Sequence, residues 1–231
     1  MVSTAEMLRD DPWEWRAVWL QGLAALAARD AKDAQSSFNA VYGQVPGELA
    51  PKLALAFACE VSGEAEVAES LYAVCARTDA AYTAIAAFGL ARIRLQRGDV
   101  TGVTEALDLV PTTSRAYGLA RQKRASVLAA PGRDFAQLAS ALRSVDGVPM
   151  DPADKAQLEV TVFTSALERL RRDPSSANPA LTLPGGVPAT EKGLRTGLEA
   201  AYRKLAAVTA DDAARIALVD QANAVRPWSV R

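Results

Sequence analysis

The residue types that most often do chemistry in proteins are few in this chain, and their spacing brings little together. Cys59 and Cys75 are the only thiols among 231 residues, and there is no histidine. That removes Ser-His-Asp and Cys-His nucleophile systems and the commonest metal ligand. The cysteines are not in CxxC spacing, so a redox pair has no motif behind it, and reduced core thiols are expected instead. Asp10-Asp11 and Asp211-Asp212 are adjacent carboxylates, but neighbouring helix residues point about 100° apart. Both pairs sit at expected helix starts, where a carboxylate favours the dipole, so capping is their expected role. Gly185-Gly186 is too short and too proline-flanked to cradle a phosphate. No GxGxxG, GxxxxGK[ST], HRD or DFG occurs. The expectation is a chain with no catalytic, cofactor-binding or metal-ligating residue.

What the residues do specify is architecture. Gly22, Ala34, Phe38 and Pro46 are answered 34 residues later by Ala56, Ala68 and Tyr72. A small residue, then a small and an aromatic residue 12 and 16 positions on, is the tetratricopeptide repeat (TPR) pattern. Each repeat is a helical hairpin whose small residues allow close approach and whose aromatic fills the gap to the next hairpin. Stacked hairpins present a surface that binds other macromolecules. The fold class is therefore all-α, an α-solenoid of TPR-type hairpins with extra C-terminal helices. Helix should exceed about 60% of residues, with no sheet.

Three hairpins are clearest, over 15–46, 48–78 and 82–110, with breaks near 31, 63 and 98. In the first, Trp15, Val18, Trp19 and Gly22 follow the amphipathic helix period. The tryptophans fit core packing or a binding surface. Pro51 suits the first turn of the next helix. Cys59 and Cys75 fall at interior positions of the second hairpin. The third is weaker, because Val103 stands at the small position and Pro111 ends its helix. A degenerate pair follows at about 115–129 and 133–145. Asp151-Pro152 opens a helix to about Arg172. The stretch 173–188, with four prolines and two glycines, reads as irregular: either it wraps the helices through Leu181 and Leu183, or it is mobile. Helices at 190–208, opened by Thr190, and 211–224 complete the chain. The expected domains are 1–145, hairpins, and 146–231, a helical extension containing the Pro/Gly-rich loop.

Half the residues are hydrophobic and the net charge is −1, which gives no general attraction to nucleic acid or an anionic membrane. No apolar run reaches the roughly 20 residues of a membrane span. Met1 to Asp11 lacks the basic-then-apolar order of a signal peptide, and a cytoplasmic location is expected. Counting repeats from Trp15, Leu49 and Ala84 makes Arg16, Trp19, Leu53, Phe57, Glu60, Phe88, Arg92 and Gln96 the candidate protein-binding groove. TPRs that clamp a chaperone's C-terminal carboxylate use Lys and Asn where this chain has Trp19 and Leu23, so that ligand class is not expected. An apolar groove rimmed by Arg16 and Arg92 would suit a helix or extended protein segment.

The run from Pro46 through Glu48, Leu49, Ala50, Pro51 and Lys52 to Ala56 is more particular than a generic TPR. So are Ala86-Ala87-Phe88-Gly89-Leu90-Ala91-Arg92, Val110-Pro111-Thr112-Thr113-Ser114-Arg115, Gly193-Leu194-Arg195, Leu218-Val219-Asp220 and the Val225-Arg226-Pro227 ending. In this order they resemble the C-terminal TPR region of the protein kinase G (PknG) family, soluble Ser/Thr protein kinases of mycobacteria and related actinobacteria. The family's full chain places a rubredoxin-like metal-binding segment and a kinase domain ahead of this region. Neither is present here, so no catalytic, nucleotide or metal position carries over; ATP and metal would belong to those absent parts. A helix that the family has ahead of Trp13-Glu14-Trp15 would survive in Ala5 to Arg9.

The resemblance implies a non-catalytic scaffold domain of a PknG-like kinase. Its partners would be its own kinase domain, a second copy of itself and a substrate with a forkhead-associated domain, the regulator of 2-oxoglutarate metabolism. The chain would be an excised domain or a stand-alone relative that has lost its kinase. Two other readings stand beside this one: a free-standing TPR adaptor in an unrelated complex, and a helical enzyme of a new kind, against which the missing motifs weigh. A kinase reading frame upstream of Met1 would separate the first two.

Overall fold

The computed structural model describes residues 14–227. The expected contributions of Ala5 to Arg9, Asp10-Asp11 and Trp13 lie outside this range. Eleven α-helices and a two-stranded sheet occur among the described residues; helix accounts for 75%. They form two compact units, the first ending at Tyr117 and the second starting at Gly118.

In the first unit α1 (Trp15–Ala27) pairs with α2 (Ala31–Gln44), α3 (Leu49–Ser62) with α4 (Ala65–Thr78), and α5 (Ala80–Gln96) with α6 (Val100–Asp108). Each helix packs on the next in sequence, and α3 also meets α5. The turns fall where the polar clusters predict them. Their backbones repeat as well. Arg29, Gly63 and Gly98 all take positive φ, at 63°, 90° and 72°. Each of their N–H groups donates to the carbonyl three residues back, and the N–H groups of the next residues, Asp30, Glu64 and Asp99, donate to the carbonyls of Ala25, Cys59 and Arg94. The left-handed residue that closes a helix C-terminus is usually glycine, because it has no Cβ to clash. Arg29 does the same work at a steric cost.

Aspartates start many of the helices. Asp30, Asp79 and Asp99 accept backbone N–H groups from Asp33, Ala81 and Gly102, satisfying donors that a helix leaves open. Asp79 is also the residue that ends α4, so it is the whole link between the second and third hairpins. The Thr83 hydroxyl reinforces this joint by donating to the Ala76 carbonyl at 2.9 Å.

Small residues set the helix spacing. Ala34, Ala56, Ala68, Ala86 and Ala87 are fully buried. Two aromatics then occupy notches in a facing helix. A Cβ on Gly22 would lie 2.6 Å from the Phe38 ring, and one on Gly89 would lie 2.5 Å from the Tyr72 ring. Phe38 thus fills a notch in its own hairpin, while Tyr72 reaches the next one as the repeat pattern predicts. Val103 and Leu107 are buried in α6, so the larger residue at the small position is accommodated. Cys59 and Cys75 are buried, free thiols. Burial, with Glu64 adding to it, pushes the Cys59 thiol up, and burial raises Cys75 too despite the Lys52 charge. Both stay protonated, which makes them packing residues.

The second unit holds α7 (Tyr117–Ala129), α8 (Phe135–Ser144), the long α9 (Pro152–Arg172), α10 (Glu191–Val208) and α11 (Asp212–Val225). Asp134 and Gln137 form a capping box on α8. Asp151, Thr190 and Asp211 cap α9, α10 and α11, as their sequence positions predict. The α7–α8 pair groups with these later helices, although the sequence expectation placed it with the hairpins up to residue 145. The physical reason is that α9 packs on α8, and the Ser165 hydroxyl of α9 donates to the Ala129 carbonyl at the end of α7. Phe163 of α9 sits where a Cβ on Gly197 of α10 would be 2.8 Å away.

The stretch 173–188 is the one place where the expected absence of strands is corrected. After a short 3-10 turn at Pro174–Ser176, β1 (Asn178–Leu183) pairs antiparallel with β2 (Val187–Ala189). Thr182 faces Pro188 and Leu183 faces Val187, with a register irregularity between Asn178 and Thr182. Gly185 and Gly186, at φ 85° and 74°, turn the hairpin, so the glycine doublet has a structural use. Prolines were the misleading signal: Pro179 and Pro188 lie on strands that both edge this sheet, where a missing N–H is tolerated. Leu183 is the buried anchor and Leu181 is half-buried.

Two substitutions test the packing and one tests the turn. Ala68→Leu and Gly89→Ala should each lower the denaturant midpoint, Ala68→Leu by about 1–3 kcal/mol through overpacking. At Gly89 the overpacking outweighs the gain of about 1 kcal/mol in helix propensity. Arg29→Gly should instead raise stability by about 1 kcal/mol, by relieving a left-handed non-glycine residue.

Candidate functional site

The repeat register places the candidate groove residues at equivalent heights on α1, α3 and α5. Trp19, Leu53 and Phe88 correspond and are all half-buried. One turn further on, Leu23, Phe57 and Arg92 correspond; Leu23 is 42% and Phe57 43% exposed. Leu20 and Val61 add exposed apolar surface on α1 and α3. The first helices therefore carry a run of apolar side chains that the unit itself leaves open. Trp19 is anchored rather than free: its ring meets Phe38 at 5.1 Å between centroids, tilted by 58°. Its contact with the ring that fills the Gly22 notch ties the groove floor to the hairpin core. Gln96 is exposed and has no role in the contacts of the site.

The charged members behave differently from the basic rim that the residue types imply. Arg16 donates to the Glu14 carboxylate at 3.2 Å and lies over the Trp15 ring at 4.8 Å. Arg92 is gripped from the neighbouring repeat. Its Nε donates to Glu60 Oε1 and its Nη2 to Glu60 Oε2, both at 2.7 Å. This two-point geometry is the strong form of a carboxylate–guanidinium contact. The Tyr72 hydroxyl donates to Glu60 Oε2 at 2.8 Å. One carboxylate thus joins α3, α4 and α5. Each arginine is met by a carboxylate, so the groove offers apolar area rather than free positive charge.

Glu60 is the centre of this cluster. Burial acts to raise its carboxyl, but the hydrogen bonds from Arg92 and Tyr72 and the Arg92 charge prevail and hold it below the usual range. Burial most of all, then Glu60, pushes the Tyr72 phenol far up, so Tyr72 remains a donor throughout the working pH range. Tyr72 is the member that sequence reasoning missed. It reads as a gap-filling ring, and nothing local signals that its hydroxyl meets a residue 12 positions earlier. Leu23 stands out in the sequence only as a departure from the carboxylate-clamp pattern, which says nothing of its exposure.

Among the described residues, no group of His, Cys, Asp or Glu is arranged to hold a metal ion, and no helix is long and apolar enough to cross a membrane. The arrangement can bury a partner's apolar side chains.

The Glu60 cluster makes stability pH-dependent in a defined direction. Its folded carboxyl is depressed, so its contribution is present above the ordinary carboxyl value near 4.5. It is lost as pH falls through the lower folded value. Glu60→Gln should flatten this acid limb in urea titrations and cost about 1–3 kcal/mol at neutral pH, by removing charged hydrogen bonds.

A family model described as "Protein kinase G tetratricopeptide repeat" matches residues 3–229. Serine/threonine-protein kinase PknG of Mycobacterium leprae is 39% identical over 221 residues. The protein of that name in Mycolicibacterium smegmatis is 36% identical over 222. Each alignment covers 94% of this chain but 28% of the relative, so the chain spans little more than a quarter of their length. A TPR repeats protein from Bacteroides fragilis superposes with a TM-score of 0.46 at 10% identity, covering 91% of this chain and 98% of that one. With the helical hairpins and their repeat register described above, the whole-length match settles the grouping: this chain belongs to the protein kinase G tetratricopeptide repeat family.

Proposed function

We propose that this chain is a non-catalytic docking module for a PknG-like serine/threonine kinase. On this reading the first unit receives an apolar segment of a protein partner along α1, α3 and α5. The observation that carries it is the exposure of Leu20 and Leu23 on α1 and of Phe57 and Val61 on α3, while Arg16 and Arg92 are already met by carboxylates. Exposed apolar area of this kind is what a helix-in-groove or extended-segment contact uses. The matched relatives are more than three times longer than this region, so the kinase-bearing remainder of such a polypeptide is the first partner to consider. Support of the kinase domain, self-association and recruitment of a forkhead-associated substrate are the roles assigned to the module. A cytoplasmic setting goes with them.

Aromatic anchors tend to dominate interfaces, and exposed Phe57, with its aliphatic counterpart Leu23, can be removed without opening the core. Leu23→Ala combined with Phe57→Ala should weaken binding to the kinase domain by about 2 kcal/mol in calorimetry while leaving the melting temperature within a few degrees. Wild-type affinity in the folded double variant would exclude the groove. The isolated chain should release no phosphate from ATP above a mock preparation, because phosphoryl transfer needs phosphate-cradling and metal-holding groups that its sequence does not contain.

A further inference from the structure

The proline-glycine hairpin has a use beyond closing a gap between helices. Its tip, Pro184 and Gly185, walls a cleft of about 320 Å³ within the second unit. Leu158 and Phe163 of α9 and Val187 of β2 supply its apolar interior. That volume lies at the lower end of small-molecule sites, about 300–1,000 Å³. Leu183, fully buried, pins the hairpin in place, and Phe163 is itself fixed against Gly197. The walls are therefore set by packed residues rather than by a free loop.

Four charged side chains border this cleft, and they divide into two kinds. Glu159 and Lys204 satisfy each other at 2.6 Å, with Glu159 largely covered. Asp146 and Lys155 also line the cleft, yet their side chains form no ion pair or hydrogen bond among the described residues. One carboxylate and one ammonium thus border the same cleft. Both are solvent-exposed, and a ligand with charges of both signs can engage the two together, where a singly charged one engages one. We propose that the cleft binds a compact zwitterion carrying an apolar group, of which apolar α-amino acids are the simplest. The ligand carboxylate is met by Lys155, its ammonium by Asp146, and its apolar group by Leu158, Phe163 and Val187. This site is separate from the docking row on α1, α3 and α5 and stands or falls without it.

Calorimetric titration of the whole chain with L-leucine, glycine, N-acetyl-L-leucine and L-leucinamide tests the assignment. Leucine should bind saturably, and each of the other three should be weaker by roughly tenfold or more, the loss expected for one charged hydrogen bond or a buried side chain. Asp146 and Lys155 are exposed, so Asp146→Asn and Lys155→Met should leave the melting curve unchanged. Asp146→Asn should bring leucine down to the level of N-acetyl-leucine, and Lys155→Met to that of leucinamide. No saturable heat from leucine up to about 10 mM would overturn the proposal. So would equal binding of leucine and its blocked forms, or leucine binding that ignores both substitutions.

Discussion

Close approach between helix backbones is the constraint on which this molecule depends, and it is met by placing aromatic rings where a facing helix has no Cβ. Phe38 against Gly22, Tyr72 against Gly89 and Phe163 against Gly197 repeat one device in both units. A glycine inside a helix costs about 1 kcal/mol relative to alanine. Burying a ring returns more than that, on the order of 2–3 kcal/mol. The notches also set register, because a ring fits at only one height along the facing helix. Tyr72 shows how far that effect reaches. Its ring is positioned by Gly89, and this delivers its hydroxyl to Glu60, which in turn fixes Arg92. Packing chosen for one purpose therefore decides where the charges of the candidate groove lie.

The polar contacts extend the same logic between repeats. Glu69 accepts from Arg94 at 2.8 Å and from Arg97 at 2.6 Å, linking α4 to α5 and the turn beyond it. Gln35 of α2 donates to Glu64 at 2.8 Å and accepts from Ser62 at 3.1 Å. These partly exposed contacts individually contribute little to stability, but each joins one helix to another helix or to its cap. They orient surfaces that the apolar core has already brought together. Arg92 of the candidate groove is met in the same way, by Glu60 of another helix.

Local signals were legible in the sequence to the extent that they are local. The 34- and 35-residue periods located the turn inside each of the three hairpins of the first unit, and Asp151-Pro152, Thr190 and Asp211 marked helix starts that the structure bears out. Contacts between distant residues were not legible. Nothing around Arg92 reveals that a carboxylate 32 residues earlier will hold it, so it read as a free basic rim. The hairpin at Asn178–Leu183 was hidden by prolines, because composition reports their frequency and not whether they lie on an edge. The unit boundary at Tyr117 was hidden for a related reason: α7 and α8 have hairpin-like periodicity, but their grouping depends on contacts made by α9.

The joints between hairpins are unequal, and that gives the first unit a mechanical character. Between the first and second hairpins the chain has four connecting residues, Val45 to Glu48; between the second and third it has Asp79 alone. With its carboxylate and carbonyl both committed to the start of α5, and Thr83 bonded back across the joint, Asp79 leaves no slack. Hairpins two and three thus share a joint in which Asp79 is the one connecting residue, while the first joint has four. Any shift of one hairpin past its neighbour must therefore be absorbed by the two backbone dihedrals of Asp79 at one joint, against those of four residues at Val45–Glu48.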